Sequence, residues 1–403
     1  MTTAIIIALC SLLLVAYLFD LTASKTKIPS VILLLLLGWL VKRGTVLLSI
    51  QLPNFNPVLP VLGTIGLILI VLEGSLELEL NKSKIGMIRK SFFGSLLSMV
   101  GLAFLLAYIF IHYQGSTLKD SLTNAIPFCI ISSAIAIPSV RTLSKYSKEF
   151  VIYESSLSDI LGVLFFNFVA LNDTFDFSSF SHFGLQLIIV TIVSFVATIG
   201  LSFLLSRIEH HIKFIPIILL VILIYEVSKI YHLPGLIFIM LFGLFVGNLD
   251  ELRHFKWIEK MRPDELNIEV KKFKELTIEA TFLVRALFFL LFGYLMETSE
   301  ILNADTFVWA LVIVGYIFVF RIIQLKLSKL PLKPLLFVAP RGLITILLFL
   351  SIEPINRIGL VNQSLIIQVI ILSAFLMMIG IMTTQNSAKG ESGKKSGNNI
   401  LAD

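Results

Sequence analysis

The chain has 403 residues, of which 57% are hydrophobic and only 14% charged, with a formal net charge of +6. Water-soluble domains are about 45–50% apolar and about 25% charged, so this composition excludes an ordinary soluble globular protein. The positive charge does not make it a nucleic-acid binder, because the basic residues sit in short segments between apolar runs and form no continuous basic face.

Spanning helices need about 17–25 mostly apolar residues. Thirteen windows meet that pattern in chain order: 2–20, 28–48, 57–78, 91–112, 122–143, 150–171, 183–206, 212–230, 233–249, 277–297, 304–325, 333–352 and 361–383. The first is read as a helix and not as a signal peptide, since it lacks a basic leader and Asp20 follows it. Lys42 and Arg43 interrupt the second, and only the Tyr231–Pro234 turn separates the eighth from the ninth. Residues 250–276 form the one long polar loop. The expected division is a transmembrane domain over 1–384 and a short disordered tail over 385–403, rich in Gly, Ser, Lys and Asn.

Charge asymmetry gives the orientation. With the N-terminus outside, 24 of the 32 Lys and Arg fall in inside segments, five in outside segments, and Arg285, Arg321 and Arg341 within helices. A wrong count would scramble that alternation. The reading is therefore N-terminus out, C-terminus cytoplasmic, multi-pass in a cell (inner) membrane.

Charged groups at membrane depth cost about 2.5–3.5 kcal/mol each on insertion scales, so each one needs a reason. Six stand out: Glu73, Glu154, Asp159, Arg285, Arg321 and Arg341. Glu77 and Glu79 fall at a helix end, within reach of water. The six histidines lie at helix ends or in loops, and Cys10 and Cys129 are too few and too far apart for a disulfide framework or a zinc site. No cofactor is called for, and no nucleophile–base set suggests an enzyme.

Asp159 lies halfway along the sixth window, in Ser155-Ser156-Leu157-Ser158-Asp159-Ile160-Leu161-Gly162. It is either a structural carboxylate bonded to neighbouring helices or a site for H⁺ or a hard monovalent cation. Burial disfavours its charged form, and a nearby cation favours it. Glu154, five residues earlier, points more than about 100° round the helix from Asp159 and suits a salt bridge. Windows five and twelve carry helix breakers, in Ser132-Ser133-Ala134-Ile135-Ala136-Ile137-Pro138 and Pro340-Arg341-Gly342. They are seven apart, and an odd offset reverses direction through the bilayer. Helices 1–6 and 8–13 can thus form an inverted repeat with a broken helix at the matching place, the arrangement of a secondary transporter with a midplane site. Freed carbonyls and the hydroxyls of Ser132, Ser133 and Thr345 would supply oxygen ligands, and Arg341 would neutralise the facing carbonyl ends.

Four segments in order now resemble the monovalent cation/proton antiporter superfamily, which includes the sodium/proton exchangers: Leu72-Glu73-Gly74-Ser75-Leu76-Glu77-Leu78, Ser132 to Pro138, Glu154-Ser155-Ser156-Leu157-Ser158-Asp159, and Pro340-Arg341-Gly342. The resemblance covers nearly the whole chain. It implies an all-α fold of about thirteen transmembrane helices with discontinuous helices five and twelve, a homodimer, and an elevator-like movement. It also implies exchange of Na⁺, K⁺ or Li⁺ for H⁺ at Asp159. Glu73 is implied as a polar partner of the site. Arg321 is implied as the partner of Glu154, with Arg285 as a rival.

Two departures stand out. Ser158 replaces the Asn or Asp that usually marks stoichiometry, and Ser132 and Ser133 are the nearest polar groups to an absent Thr-Asp-Pro pattern. The expected function is secondary antiport by competition of cation and H⁺ at Asp159, assisted by Ser155 and Ser158. One exchanging carboxylate suggests one cation per proton, and hence electroneutral exchange. The rivals are a cation channel or uniporter and a non-transporting membrane sensor.

Overall fold

The structure is a computed structural model that describes residues 2–26, 28–50, 53–141, 143–207, 213–231, 233–249 and 263–398. All regular structure among the described residues is helical. The first seven α-helices are α1 (Thr2–Thr26), α2 (Ser30–Leu47), α3 (Val58–Glu77), α4 (Ile85–Gln114), α5 (Leu118–Ala125), α6 (Ser133–Ser139) and α7 (Lys145–Leu171). After them come α8 (Phe177–Arg207), α9 (Phe214–Ile230), α10 (Gly235–Gly247), α11 (Pro263–Leu295), α12 (Thr298–Ile301), α13 (Ala304–Leu327), α14 (Leu343–Ser351) and α15 (Gln363–Asn398).

Every window read from the sequence contains a helix. Among the described residues, ten segments are long and apolar enough to cross a membrane, with Leu118–Ser139 counted as one of them. The windows 212–230, 233–249 and 333–352 fall short of that length. Helix α9 ends at Ile230 after 17 residues, about 25 Å at 1.5 Å per residue. The last of the three windows becomes helical for any length only at Leu343, after Pro340-Arg341-Gly342.

Two other boundaries differ from the sequence reading. The polar loop expected over 250–276 is already helical from Pro263; its first part, 250–262, lies outside the described residues. Ion pairs hold this extension, with Lys213 reaching Glu269 at 2.6 Å and Lys272 bonding the same carboxylate one turn on. At the other end, the helical backbone of α15 extends to Asn398, into the segment that composition alone reads as tail.

Helices α2, α3, α10 and α11 pack on one another, and α4, α7, α13 and α15 form a second packed group joined to α3 through α7 and α14. In the first group α2 and α11 cross backbone to backbone. A Cβ on Gly38 would lie 2.1 Å from the Leu290 carbonyl, and one on Gly293 would lie 2.3 Å from that of Leu35. Small residues at such crossings are the usual route to close helix contact where lipid removes the hydrophobic driving force. In the second group α7 carries the polar load. Glu154, Ser155, Ser156, Ser158 and Asp159 are all buried along it, and the Ser144 hydroxyl caps its N-terminus by accepting from the Ser147 amide.

Candidate functional site

The site is built around two stretches that are not helical. Between the 3-10 turn Ile126–Phe128 and α6 the backbone is irregular over Cys129–Ser132, and between the 3-10 turn Leu335–Phe337 and α14 it is irregular over Val338–Gly342. Irregular backbone at membrane depth must satisfy its polar groups within the protein, because lipid offers none. Here the accounting is explicit. The Ser132 amide donates to the Pro340 carbonyl at 2.9 Å, so the two irregular stretches bond directly to each other. The Ile131 amide donates to Ser158 Oγ at 3.0 Å. The Ser133 amide donates to Asp159 Oδ2 at 3.4 Å, and the Ser133 hydroxyl donates to the same oxygen. The Arg341 amide finds Ser373 Oγ at 3.1 Å.

Arg341 satisfies the opposite need. Its side chain, 2% exposed, donates through Nε to the Phe128 carbonyl at 2.5 Å and through Nη1 to the Ala339 carbonyl at 2.9 Å. The Phe128 carbonyl ends the 3-10 turn before the first irregular stretch and the Ala339 carbonyl lies within the second, and each carries partial negative charge. A fixed guanidinium there neutralises both.

Asp159 is 3% exposed. Its Oδ2 takes the Ser133 donors, while Oδ1 is buried with no hydrogen-bond partner among the described residues. No Lys or Arg pairs with it among the described residues. The Ser155 hydroxyl, one turn away, donates to the Val151 carbonyl at 2.7 Å, so it braces its own helix and does not donate to the carboxylate. Ser132 caps α6 through its backbone, with no side-chain cap bond. The Thr345 hydroxyl lies 3.4 Å from the Gly342 amide.

Glu154 is in a different environment. Its carboxylate accepts from Arg321 Nη1 and from Gln324 Nε2, Arg321 Nε donates to the Leu335 carbonyl at 3.0 Å, and Arg321 Nη1 also reaches Gln324 Oε1 at 3.2 Å. Glu154 is 1% and Arg321 2% exposed. The rival Arg285 is elsewhere, 3.7 Å from Asp20. Glu73, half-buried on α3, faces Arg285 and Thr281 and makes no hydrogen bond to Asp159.

Sequence reasoning missed Gln324 and Asp20. Gln324 had a readable signal, since it sits one turn beyond Arg321 in an otherwise apolar helix. Asp20, the one acidic residue of α1, also reaches Arg141 at 3.4 Å and accepts from Ser30 at 3.4 Å. At the end of the bundle away from Arg141, a cavity of about 280 Å³ opens between α3, α7, α9 and α14. Its lining includes Leu67, Val163, Asn167, Tyr225, Lys229 and Leu347. Val163, on its wall, is one turn along α7 from Asp159.

The same arrangement of helices is known. The chain superposes on the sodium proton antiporter MjNhaP1 from Methanocaldococcus jannaschii in its structure at pH 8, with a TM-score of 0.66 and 18% identity over 97% of this chain and 98% of that one. It superposes on the electron-microscopy structure of the same antiporter with a TM-score of 0.66 and 20% identity over 96% and 97%. At that identity the likeness shows the fold. No curated protein sequence matches the chain. The sequence pattern of the family described as "Sodium/hydrogen exchanger, transmembrane" matches residues 9–386, and the chain therefore belongs to that family of cation/proton antiporters.

Proposed function

We propose that this protein exchanges Na⁺ for H⁺ one for one, by competition of the two at Asp159. The observation that carries the reading is the contrast between two buried carboxylates on one helix. Glu154 is compensated by Arg321 and Gln324, whereas Asp159 has hydroxyl and amide donors on one oxygen and no fixed cation among the described residues. A bare carboxylate in an apolar barrier is costly, and either a proton or a monovalent cation removes that cost. Only the two neutral forms then cross readily. Exchange is coupled because the empty, charged form does not return. Ser133 on Oδ2 and Ser158 on the Ile131 amide support this by fixing the carboxylate against the broken stretch.

The remaining parts follow from the same reading. Helices α1–α7 and α9–α15 form two inverted halves, with the breaks at 129–132 and 338–342 in matching places. The chain sits in a cell membrane as a homodimer, with Arg141 and the C-terminus at the cytoplasmic end. Sites of this kind bind hard cations through oxygen, which suits Na⁺ and the smaller Li⁺.

The test is recovery of a quenched pH dye in vesicles containing the protein, titrated with Na⁺, Li⁺ and K⁺, with the membrane potential clamped and free. The expected result is Na⁺-driven proton movement that is indifferent to the clamp and absent in Asp159→Asn. Wild-type exchange by Asp159→Asn would sink the mechanism. Current without a proton gradient would indicate a channel.

A further inference from the structure

A second cavity, of about 300 Å³, lies between α4 and α13 and is not lined by Asp159. Its walls are Phe93 and Leu97 on α4 and Phe320, Ile323 and Leu327 on α13; its mouth carries Arg89 and Lys90. Arg89 and Lys90 are exposed, and among the described residues neither has an ion-pair or hydrogen-bond partner. They stand within the first two turns of a helix of 30 residues, about 45 Å long against a hydrocarbon thickness of about 30 Å. That places them at headgroup level and the apolar walls at acyl-chain level. The floor is formed by Gly94 and Gln324, where a Cβ on residue 94 would come within 2.8 Å of Gln324 Nε2.

We propose that this groove binds one anionic phospholipid, its phosphate on Arg89 and Lys90 and an acyl chain along Phe93, Leu97, Phe320 and Ile323. Charge complementarity selects this occupant. A zwitterionic lipid would set its own cation against two unpaired positive charges, and a peptide helix would leave them bare under an apolar wall. Each basic residue at the headgroup level contributes about a fivefold preference for anionic lipid, so the pair gives about 25-fold at most. The lipid would rest on Gln324, the residue that bonds Glu154, and so lie against the same charge pair that braces α7.

The experiment is native mass spectrometry of the full-length protein in neutral detergent. Phosphatidylglycerol and phosphatidylcholine with identical chains compete for it. The wild type is expected to retain phosphatidylglycerol about tenfold or more over phosphatidylcholine, and R89Q/K90Q is expected to bring the two near parity. Leu97→Trp fills the groove with both charges kept, and it is expected to lose the bound lipid. K119Q, which removes a basic residue elsewhere, is expected to keep the wild-type preference. Soluble glycerol phosphate is expected not to displace the lipid. Equal retention of both lipids by the wild type would overturn the proposal, as would an undiminished preference in R89Q/K90Q or in Leu97→Trp. Displacement by glycerol phosphate would reduce the groove to a simple anion site and overturn it too.

Discussion

Removing the Arg321 side chain tests what braces α7 beside the ion site. In Arg321→Met the Glu154 carboxylate keeps its bond from Gln324 but loses its buried cation, and the Leu335 carbonyl loses the Nε donor. Breaking one partner of a buried pair costs about 3–5 kcal/mol, because an uncompensated charge stays behind. Both partners here are almost fully buried, so solvent offers little relief. With an unfolding entropy of about 2.1 cal/mol/K per residue, that loss corresponds to about 4–6 °C in the unfolding midpoint. Glu154→Gln with Arg321→Met removes both charges and should recover about half of the loss, leaving chiefly the orphaned carbonyl. Midpoints of the wild type, both single variants and the double variant in one detergent give the coupling directly. A double variant no more stable than Arg321→Met would refute the reasoning, since it would mean that the stranded charge was not the source of the loss. The double variant should also retain cation-driven proton movement, because Glu154 is assigned here to bracing and not to exchange.

Three further outcomes are expected. Arg341→Gln leaves the buried Phe128 and Ala339 carbonyls short of donors at about 1–3 kcal/mol each, and Arg341→Lys, a single point charge, should restore only part of that midpoint. Gly38→Leu pushes a side chain into the Leu290 backbone of α11 and should lower the yield of folded protein sharply, whereas Gly44→Leu, with open space around it, should not. At the end of α3, Lys84 bonds Glu79 at 2.5 Å and Glu149 at 3.2 Å. The Lys84 bond holds the Glu79 carboxyl below its ordinary 4.5, and the Glu79 bond holds the Lys84 amine above its ordinary 10.5. The stabilisation is therefore full between those two ordinary values. It fades as pH falls through the lowered Glu79 value or rises through the raised Lys84 value. Glu79 is mostly exposed, so the midpoint gap between wild type and Lys84→Met should be small, at most about 1 kcal/mol, and flat between about pH 5 and 10.

The sequence carried the membrane class, the helical windows and the six charges at depth, because each is a local property of composition and period. Asp159 and Arg341 could be picked out for the same reason: a single charge in an apolar run is visible without any neighbour. Glu154 could be expected to take a salt bridge, but two arginines competed for it. Tertiary packing brought Arg321 to it and turned Arg285 toward Asp20. Ser158 and Ser155 look equivalent in the chain, one either side of a helical turn. Only packing shows that the Ser158 hydroxyl receives the Ile131 amide while that of Ser155 folds back on Val151. Gln324 and the Arg89–Lys90 groove have the same origin. They depend on which faces of α4, α7 and α13 meet, and sequence spacing within one helix does not fix its rotation against another. What the sequence determined by itself was that two carboxylates, Glu154 and Asp159, lie at depth on α7. That Asp159 lies against Ser133 with no fixed cation among the described residues, while Glu154 is compensated, was decided by tertiary packing, which brings two distant irregular stretches together through the Ser132 amide and the Pro340 carbonyl.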